Sequence, residues 1–375
     1  VRATLPTLLD SQNGRDSLLD SLATSELPAE NAKLAVSITR ATGNELPAII
    51  EAFRKAGKVS SSGWILTPEL KSALLEDVRD YGDPHLGQEI YRRASLQCML
   101  CHGIGGSGGK VGPDLISIGA SAPTDYLIES LLVPNAKVKE NFHAVQILDL
   151  NGRITSGIII QSDDTKLNLR TAKNKIVSIK KADIELQKDS RSLMPDGSVD
   201  ELTRKELVHL VTFLSRLGKV GDFEISKERY GRTWEVLQSS PSTHRLLNRT
   251  GIDSASGDAE DFQWGNLYAT VQGLVPTSNL PEIAPHTADN RFSFLRSKIE
   301  VTQPGPLKIS ILNPEGILLW INGKPTPLKS GKAVANLKNG SHRLVIGVQH
   351  SARTTEVIRV NTKPDLNSRI QYQWR

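Results

Sequence analysis

Two cysteines make up all the thiol chemistry of this chain, and they stand three positions apart in Cys98-Met99-Leu100-Cys101-His102. On one helical turn, two thiols at that spacing can each bond a vinyl-derived carbon of the same porphyrin. The next residue then projects its imidazole at the iron, and C-x-x-C-H is the pattern of c-type haem attachment. Two rival chemistries fit less well. A zinc site needs a second ligand pair, and no other cysteine exists to supply one. A thioredoxin-like dithiol opens a long helix, whereas a glycine-rich run, Gly103 to Gly109, follows here. The motif predicts one covalently attached haem c held by Cys98, Cys101 and His102.

A low-spin electron carrier needs a sixth ligand, usually Met or His. Met99 lies inside the attachment motif and cannot reach the far face. That leaves Met194, in Ser192-Leu193-Met194-Pro195-Asp196-Gly197. A lone methionine is ordinarily core filler, but Pro and Gly neighbours put this one in a turn, where a rigid loop can present its sulfur. His143, which begins a strand-like run, is the more serious competitor. His209, in a strongly periodic helix, reads as a surface or boundary residue.

The segments around these ligands agree with one another. Asp83-Pro84 is a helix start, a cap followed by proline, and Leu86, Ile90 and Ala94 mark one face up to Cys98. Thr203-Arg204-Lys205-Glu206 is a capping box. The helix it opens carries the stripe Leu207, Leu210, Val211, Leu214 and Leu217 and closes at Gly218.

Taken in order, Gly87 and Tyr91, the C-x-x-C-H, Gly112-Pro113-Asp114-Leu115, Leu193-Met194-Pro195 and a helix ending in Phe213-Leu214 resemble a class I cytochrome c. The resemblance implies that the first and last helices cross at Gly87 beside the Tyr91 and Phe213 rings. It also implies that the Pro113 carbonyl accepts the Nδ1–H of His102, that Leu115 belongs to the cofactor-binding set, and that His102 and Met194 are the iron ligands. The stretch 83–218 more narrowly resembles the haem-binding domain family named for planctomycetes and verrucomicrobia. That family often ends large secreted proteins, behind a dehydrogenase-like propeller and helical repeats.

His102 and Met194 are 92 residues apart, more than a compact cytochrome requires, and the excess is localised. From Phe142 to Leu186 the pattern switches to period two: Val145 and Ile147, Ile154 to Ile160, Leu167 and Leu169, Ile176 and Ile179, Ile184 and Leu186. Asn151-Gly152 is a strong hairpin signal, with further turns at Asp163-Asp164 and Lys173-Asn174. Five short strands read as a small β-barrel, SH3-like or Sm-like in outline, inserted at about 140–188. Between Lys137 and Arg191 there are eleven basic residues against seven acids. The bland reading is a solvated strand face; the sharper one is a docking surface for an acidic redox partner.

The flanks are simpler. Residues 1–82 read as helical, with Leu34, Ala35, Ile38 and Ala41 on one face and Ile49, Ile50 and Phe53 on another. Leu5-Pro6-Thr7-Leu8-Leu9 recurs loosely as Leu46-Pro47-Ala48-Ile49-Ile50, 41 residues later, near the period of HEAT-type pairs. After a short helical stretch around 226–237, seven strand candidates run through 262–271, 292–301, 307–312, 317–321, 334–337, 342–348 and 356–360, with hairpin signals at Asn322-Gly323 and Asn339-Gly340. They predict an antiparallel sandwich that loosely resembles galactose-binding or PA14-like jelly rolls; Trp264, Trp320 or Trp374 could stack on sugars where exposed, though such tryptophans are more often core.

Lys and Arg total 46 against 41 acids, too small a surplus for a dedicated nucleic-acid binder. No run of about 18 apolar residues exists to span a membrane. Val1-Arg2-Ala3 leads straight into amphipathic sequence, as expected of a mature or excised chain. The expected fold is therefore multidomain α+β: a helical N-terminal region at 1–82, a class I cytochrome c fold at 83–222 with its inserted barrel, and a β-sandwich at 223–375. The expected function is transfer of single electrons between a redox partner or upstream dehydrogenase domain and a further acceptor. It is expected in the periplasm or at the cell surface, since haem is joined to C-x-x-C-H outside the bacterial membrane. Two alternatives stand beside it: a haem enzyme with an open iron position, and a carbohydrate- or partner-binding protein whose sandwich is the main module. No catalytic cluster or hydrolase dyad is evident.

Overall fold

Thr203 starts the helix Arg204–Arg216 with a complete capping box. Its hydroxyl accepts from the Glu206 N–H at 3.3 Å, and the Glu206 carboxylate accepts from the Thr203 N–H at 2.9 Å. In the computed structural model, which describes residues 5–9, 11–41, 46–59, 63–93, 95–224, 228–284 and 291–374, this helix buries Leu207, Leu210, Val211, Phe213 and Leu214. Leu217 caps its end and Gly218 follows in the left-handed region at φ +79°.

The helix Pro84–Tyr91 crosses it. Asp83 caps that helix by accepting from the N–H groups of His85 at 2.8 Å and Leu86 at 3.2 Å. At the crossing, a Cβ added to Gly87 would lie 2.0 Å from the His209 carbonyl oxygen and 2.6 Å from Phe213 Cβ. The Tyr91 and Phe213 rings meet there, 5.6 Å between centroids. The expected apolar face differs in detail. Leu86 is 42% exposed, and the buried side is formed by Gly87, Ile90 and Tyr91. Ala94 lies outside the described residues. The helix also ends at Tyr91 rather than running to the cysteines, which sit on their own turn, Cys98–Cys101, after Gln97 at φ +56°.

The chain divides into two compact units, Val1–Phe223 and Glu224–Arg375. In the first, both copies of the loose Leu-Pro repeat open helices, Leu5–Leu9 and Pro47–Ala56. With Gln12–Thr24 and Ala29–Ala41 they enclose a core of Leu9, Ala35, Val36, Ile38, Ile49 and Phe53. The helix Pro68–Tyr81 leads from them to Asp83.

All five strands expected within 140–188 form: Ala144–Asp149, Ile154–Ser162, Lys166–Arg170, Ile176–Lys180 and Ile184–Asp189. They make one antiparallel sheet in which Ala144–Asp149 pairs with both Ile154–Ser162 and Ile184–Asp189. A short 3-10 turn, Lys181–Asp183, carries the chain from the far edge strand back to Ile184. Its core is Val145, Ile147, Leu167 and Leu169. No ladder joins its two edges among the described residues, so the expected small barrel is an open five-stranded sheet there.

Among the described residues the second unit holds two antiparallel sheets, of seven and five strands. They share one core: Val236, Leu295, Leu319, Leu344 and Ile346 from the larger sheet meet Ile309, Ile311, Ile358 and Val360 from the smaller. This sandwich-like arrangement contains the expected candidates, with altered ends. The helix expected at 226–237 is not found. Arg229–Tyr230 and Thr233–Leu237 are strands, and the described helix nearby is Pro241–Thr250, capped by Ser240. Trp234 and Val236 are buried between the sheets, and Thr233–Leu237 pairs with Trp264–Tyr268 and Phe292–Gln303. Long-range pairing outweighs weak local propensity there.

The helix crossing yields a direct test. Gly87→Ala should destabilise the first unit by about 1–3 kcal/mol, because backbone rather than a flexible side chain stands where the methyl would go. Denaturant unfolding followed by far-UV circular dichroism measures it, and an unchanged midpoint would remove Gly87 from the crossing.

Candidate functional site

The Cys98–Cys101 turn is held by its own backbone. The His102 N–H donates to the Cys98 carbonyl at 2.8 Å and the Leu100 N–H to Gln97 at 2.9 Å, so both cysteines share one helical turn. They form no disulfide. Burial pushes the Cys98 thiol up to about 12, with Cys101 adding to the effect, and burial raises Cys101 as well. Both are thiols rather than thiolates at neutral pH, unlike the activated cysteine of a redox dithiol.

The loop after the motif wraps around His102. Gly109 N–H donates to Met99 at 2.9 Å, Gly112 N–H to Cys101 at 2.8 Å, and Leu115 N–H to Gly103 at 2.8 Å. Asp114 ties the loop by accepting from the backbone of Gly105 at 3.0 Å, Gly106 at 2.7 Å and Ile116 at 2.8 Å. The Pro113 carbonyl lies 2.9 Å from His102 Nδ1. That contact puts the proton on Nδ1 and leaves Nε2 as the nitrogen with a free lone pair. Burial lowers the His102 pKa, against the opposing pull of Pro113 and Asp114, so the ring is neutral at neutral pH. The Tyr91 hydroxyl donates to the His102 carbonyl at 3.1 Å and joins the turn to the helix crossing.

Met194 is carried by a separate, half-buried loop. Its N–H donates to Ser192 Oγ at 3.2 Å, and Gly197 turns the chain at φ +72°. Asn135 bridges the two sides of the methionine: its Oδ1 accepts from the Ser192 N–H at 2.8 Å, and its Nδ2 donates to Asp196 at 2.9 Å. The competing histidines are placed differently. His143 is exposed, one residue before the strand Ala144–Asp149. His209 is not a surface residue: it is 5% exposed, and its Nδ1 accepts from the Asp83 N–H at 3.0 Å. The proton is thereby left on Nε2, which has no hydrogen-bond partner among the described residues. An imidazole so arranged has no lone pair to offer a metal.

Cys98, Cys101, His102, Pro113 and Leu115 are thus brought together, and Met194 sits in a braced loop apart from them in sequence. The donor set fits covalent haem: two protonated thiols on one turn and a neutral, oriented imidazole. The cradle is tight, since a Cβ at Gly112 would lie 2.3 Å from His102 Cε1, and one at Gly109 only 1.8 Å from the Leu100 carbonyl oxygen. Among the described residues no group of three or more His, Cys, Asp or Glu converges as a metal-ion site. A porphyrin iron asks only for one axial atom on each face. Gly109 and Asn135 escaped the sequence reading. The glycine run hinted at the first, and nothing local marked the second.

The tryptophans of the second unit are engaged in packing. Trp320 is 2% exposed, a core residue as such tryptophans more often are, and donates to Asp253 at 2.9 Å. Trp374 is half-buried against Trp234 and donates to Thr362 Oγ1 at 2.9 Å. The Arg296 guanidinium lies 4.2 Å over the Trp264 ring. Among the described residues no helix is long and apolar enough to cross a membrane.

No family model matches the chain, and no curated protein matches it. Among solved structures, a β-glucuronidase from an uncultured Clostridium sp. is similar at 11% identity over 40% of this chain, with a TM-score of 0.22. The match spans 33% of that protein's length and carries no argument about this one.

Gly112→Ala tests the cradle. The added methyl must drive the His102 ring off the Pro113 carbonyl or displace a hydrogen-bonded backbone, and overpacking of this kind costs about 1–3 kcal/mol. Urea unfolding should register the loss. A fully stable variant would mean that the ring does not sit against Gly112.

Proposed function

We propose that this chain is a c-type cytochrome that passes single electrons through one covalently bound haem, ligated by His102 and Met194. The finer fold reading, a class I cytochrome c at 83–222 with an inserted small barrel, belongs to the same proposal. The observation that carries it is the His102 to Pro113 contact beside two unpaired thiols on one turn. A metal-ligating histidine almost always donates its other ring N–H in this way, which fixes the direction in which Nε2 is presented. The Gly87 crossing with its Tyr91 and Phe213 rings supports the fold reading.

Within this reading each residue has a task. Cys98 and Cys101 would hold the porphyrin covalently, so the group would stay bound if another ligand were lost. His102 would supply a nitrogen ligand, oriented by Pro113. Met194 would supply a neutral sulfur ligand, which favours the reduced state relative to a second histidine. The bound haem supplies the one-electron couple. With His102 and Met194 both committed to holding the group, the site would favour electron transfer over oxygen or peroxide chemistry. Attachment at C-x-x-C-H implies a periplasmic or cell-surface protein, with a dehydrogenase domain or separate redox protein as donor. The sandwich at 223–375 would be an accessory module. Its engaged tryptophans give a sugar-binding main function no particular support.

Three outcomes are expected. Cells competent in cytochrome maturation should yield a denatured protein carrying one haem adduct by mass spectrometry, and a haem-free mass would end this reading. Met194→Ala should keep the haem, lose the sulfur-to-iron charge-transfer band of the oxidised protein, and bind carbon monoxide or imidazole faster. If His143→Ala has that effect instead, the ligand is misassigned. Finally, Lys173, Lys175, Lys180 and Lys181 are exposed on the inserted sheet. If they steer an acidic partner, their charge reversal should slow association while the haem spectrum stays unchanged. Added salt should do the same, as screening sets in at about 8 Å at physiological ionic strength. Stopped-flow mixing with the physiological reductant measures both, and a flat salt profile would sink the steering role.

A further inference from the structure

The N-terminal helices reach both ligand-bearing segments. From the helix Ala29–Ala41, Ser37 Oγ accepts from Gln97 Nε2 at 2.9 Å, immediately before Cys98. Three residues on, and so on the same helical face, Arg40 donates to the Gly197 carbonyl and to Asp200 Oδ2, the latter at 2.9 Å. Arg54, from Pro47–Ala56, donates to Glu201 Oε1 at 2.8 Å, and Trp64 Nε1 donates to the Val199 carbonyl at 3.2 Å. Arg40, Arg54, Asp200 and Glu201 have side chains only 12%, 17%, 18% and 6% exposed. The helix itself is seated in a core through Ala35, Val36 and Ile38.

We propose that the helix Ala29–Ala41 is a positioning strut for the axial ligands: Ser37 and Arg40 tie the attachment turn and the methionine loop to one rigid element and so fix where Met194 is presented. The proposal rests on the His102 and Met194 reading above and goes beyond it, because it gives the helical region a role in ligation rather than that of a scaffold alone. Asn135 braces residues 192 and 196, and Arg40 grips 197 and 200, so the methionine is held on both sides. The guanidinium is suited to the work. Its planar fork meets a carbonyl and a carboxylate at once, which a lysine ammonium cannot reproduce in the same geometry. Nearly buried ion pairs add little net stability but are exacting about position, since removing one partner strands the other. A thioether is a neutral ligand, and whether it stays on the iron depends on how firmly its loop is held.

The test uses the full chain in its haem-loaded form. Arg40→Lys keeps the charge and loses the fork; Ile49→Ala, in the same helical core, lowers stability without touching the loop. Arg40→Lys should retain one haem by mass, weaken the sulfur-to-iron band, speed hydrogen exchange across 192–202, and bind imidazole about 10- to 100-fold more tightly, the usual scale for losing an outer support of a metal ligand. A band, exchange rate and imidazole affinity unchanged from wild type would overturn the strut. So would an Ile49→Ala variant of equal stability that reproduces every change, since general loosening would then suffice. A wild-type protein that carries haem but lacks the sulfur-to-iron band overturns the Met194 assignment and the strut together. A wild type with the band and an insensitive Arg40→Lys overturns the strut alone.

Discussion

Gly87 lets the helix Pro84–Tyr91 approach Arg204–Arg216 until the position of a missing Cβ lies 2.0 Å from a carbonyl oxygen, and the rest of the first unit is arranged around that contact. One helix leads into the Cys98–Cys101 turn and the other follows the Met194 loop. Their crossing therefore gathers segments that the chain keeps far apart. His209 adds a second tie by accepting the Asp83 N–H, which would otherwise be an orphan donor near the helix start. The same two helices supply Tyr91 and Phe213, and Tyr91 reaches on to the His102 carbonyl. A close backbone crossing thus becomes a fixed position for one imidazole.

The long insertion does not disturb this arrangement because its ends are paired to each other. Val145 stands opposite Asp189 in the sheet, and the Ser190 N–H donates to the Ala144 carbonyl at 2.9 Å. The chain thus leaves and returns at one place, and what happens beyond Ala144 costs the core little. Asn135, just before the insertion, then grips Ser192 and Asp196 just after it. The insertion keeps its own small core and turns its lysines outward.

Charge is used in two ways in the first unit. On the inserted sheet it is exposed, where it contributes little to stability. Between the N-terminal helices and residues 197–201 it is nearly buried, where geometry rather than net energy is at stake. Composition records both as the same kind of residue. Only their surroundings distinguish a solvated sheet face from a buried ion-pair cluster.

The amino-acid sequence by itself determined the local structure: the C-x-x-C-H turn, the Asp83 and Thr203 caps, the five strands between 140 and 190, and the α+β character of the whole. Each depends on residues within a few positions of one another, through hydrogen bonds, turn conformations or hydrophobic period. The strand at Thr233–Leu237 was misread because its pairing partners lie far along the chain. Leu86 was misplaced because the buried face was chosen by a glycine rather than by the larger side chain. The burial of His209 and Trp320, the Asn135 bridge and the grip of Arg40 on residues 157 and 160 positions away were decided only by tertiary structure. An arginine or asparagine looks the same to its sequence neighbours whether it faces water or a distant loop. Its partner is chosen when packing closes the space between them and removes water as the alternative.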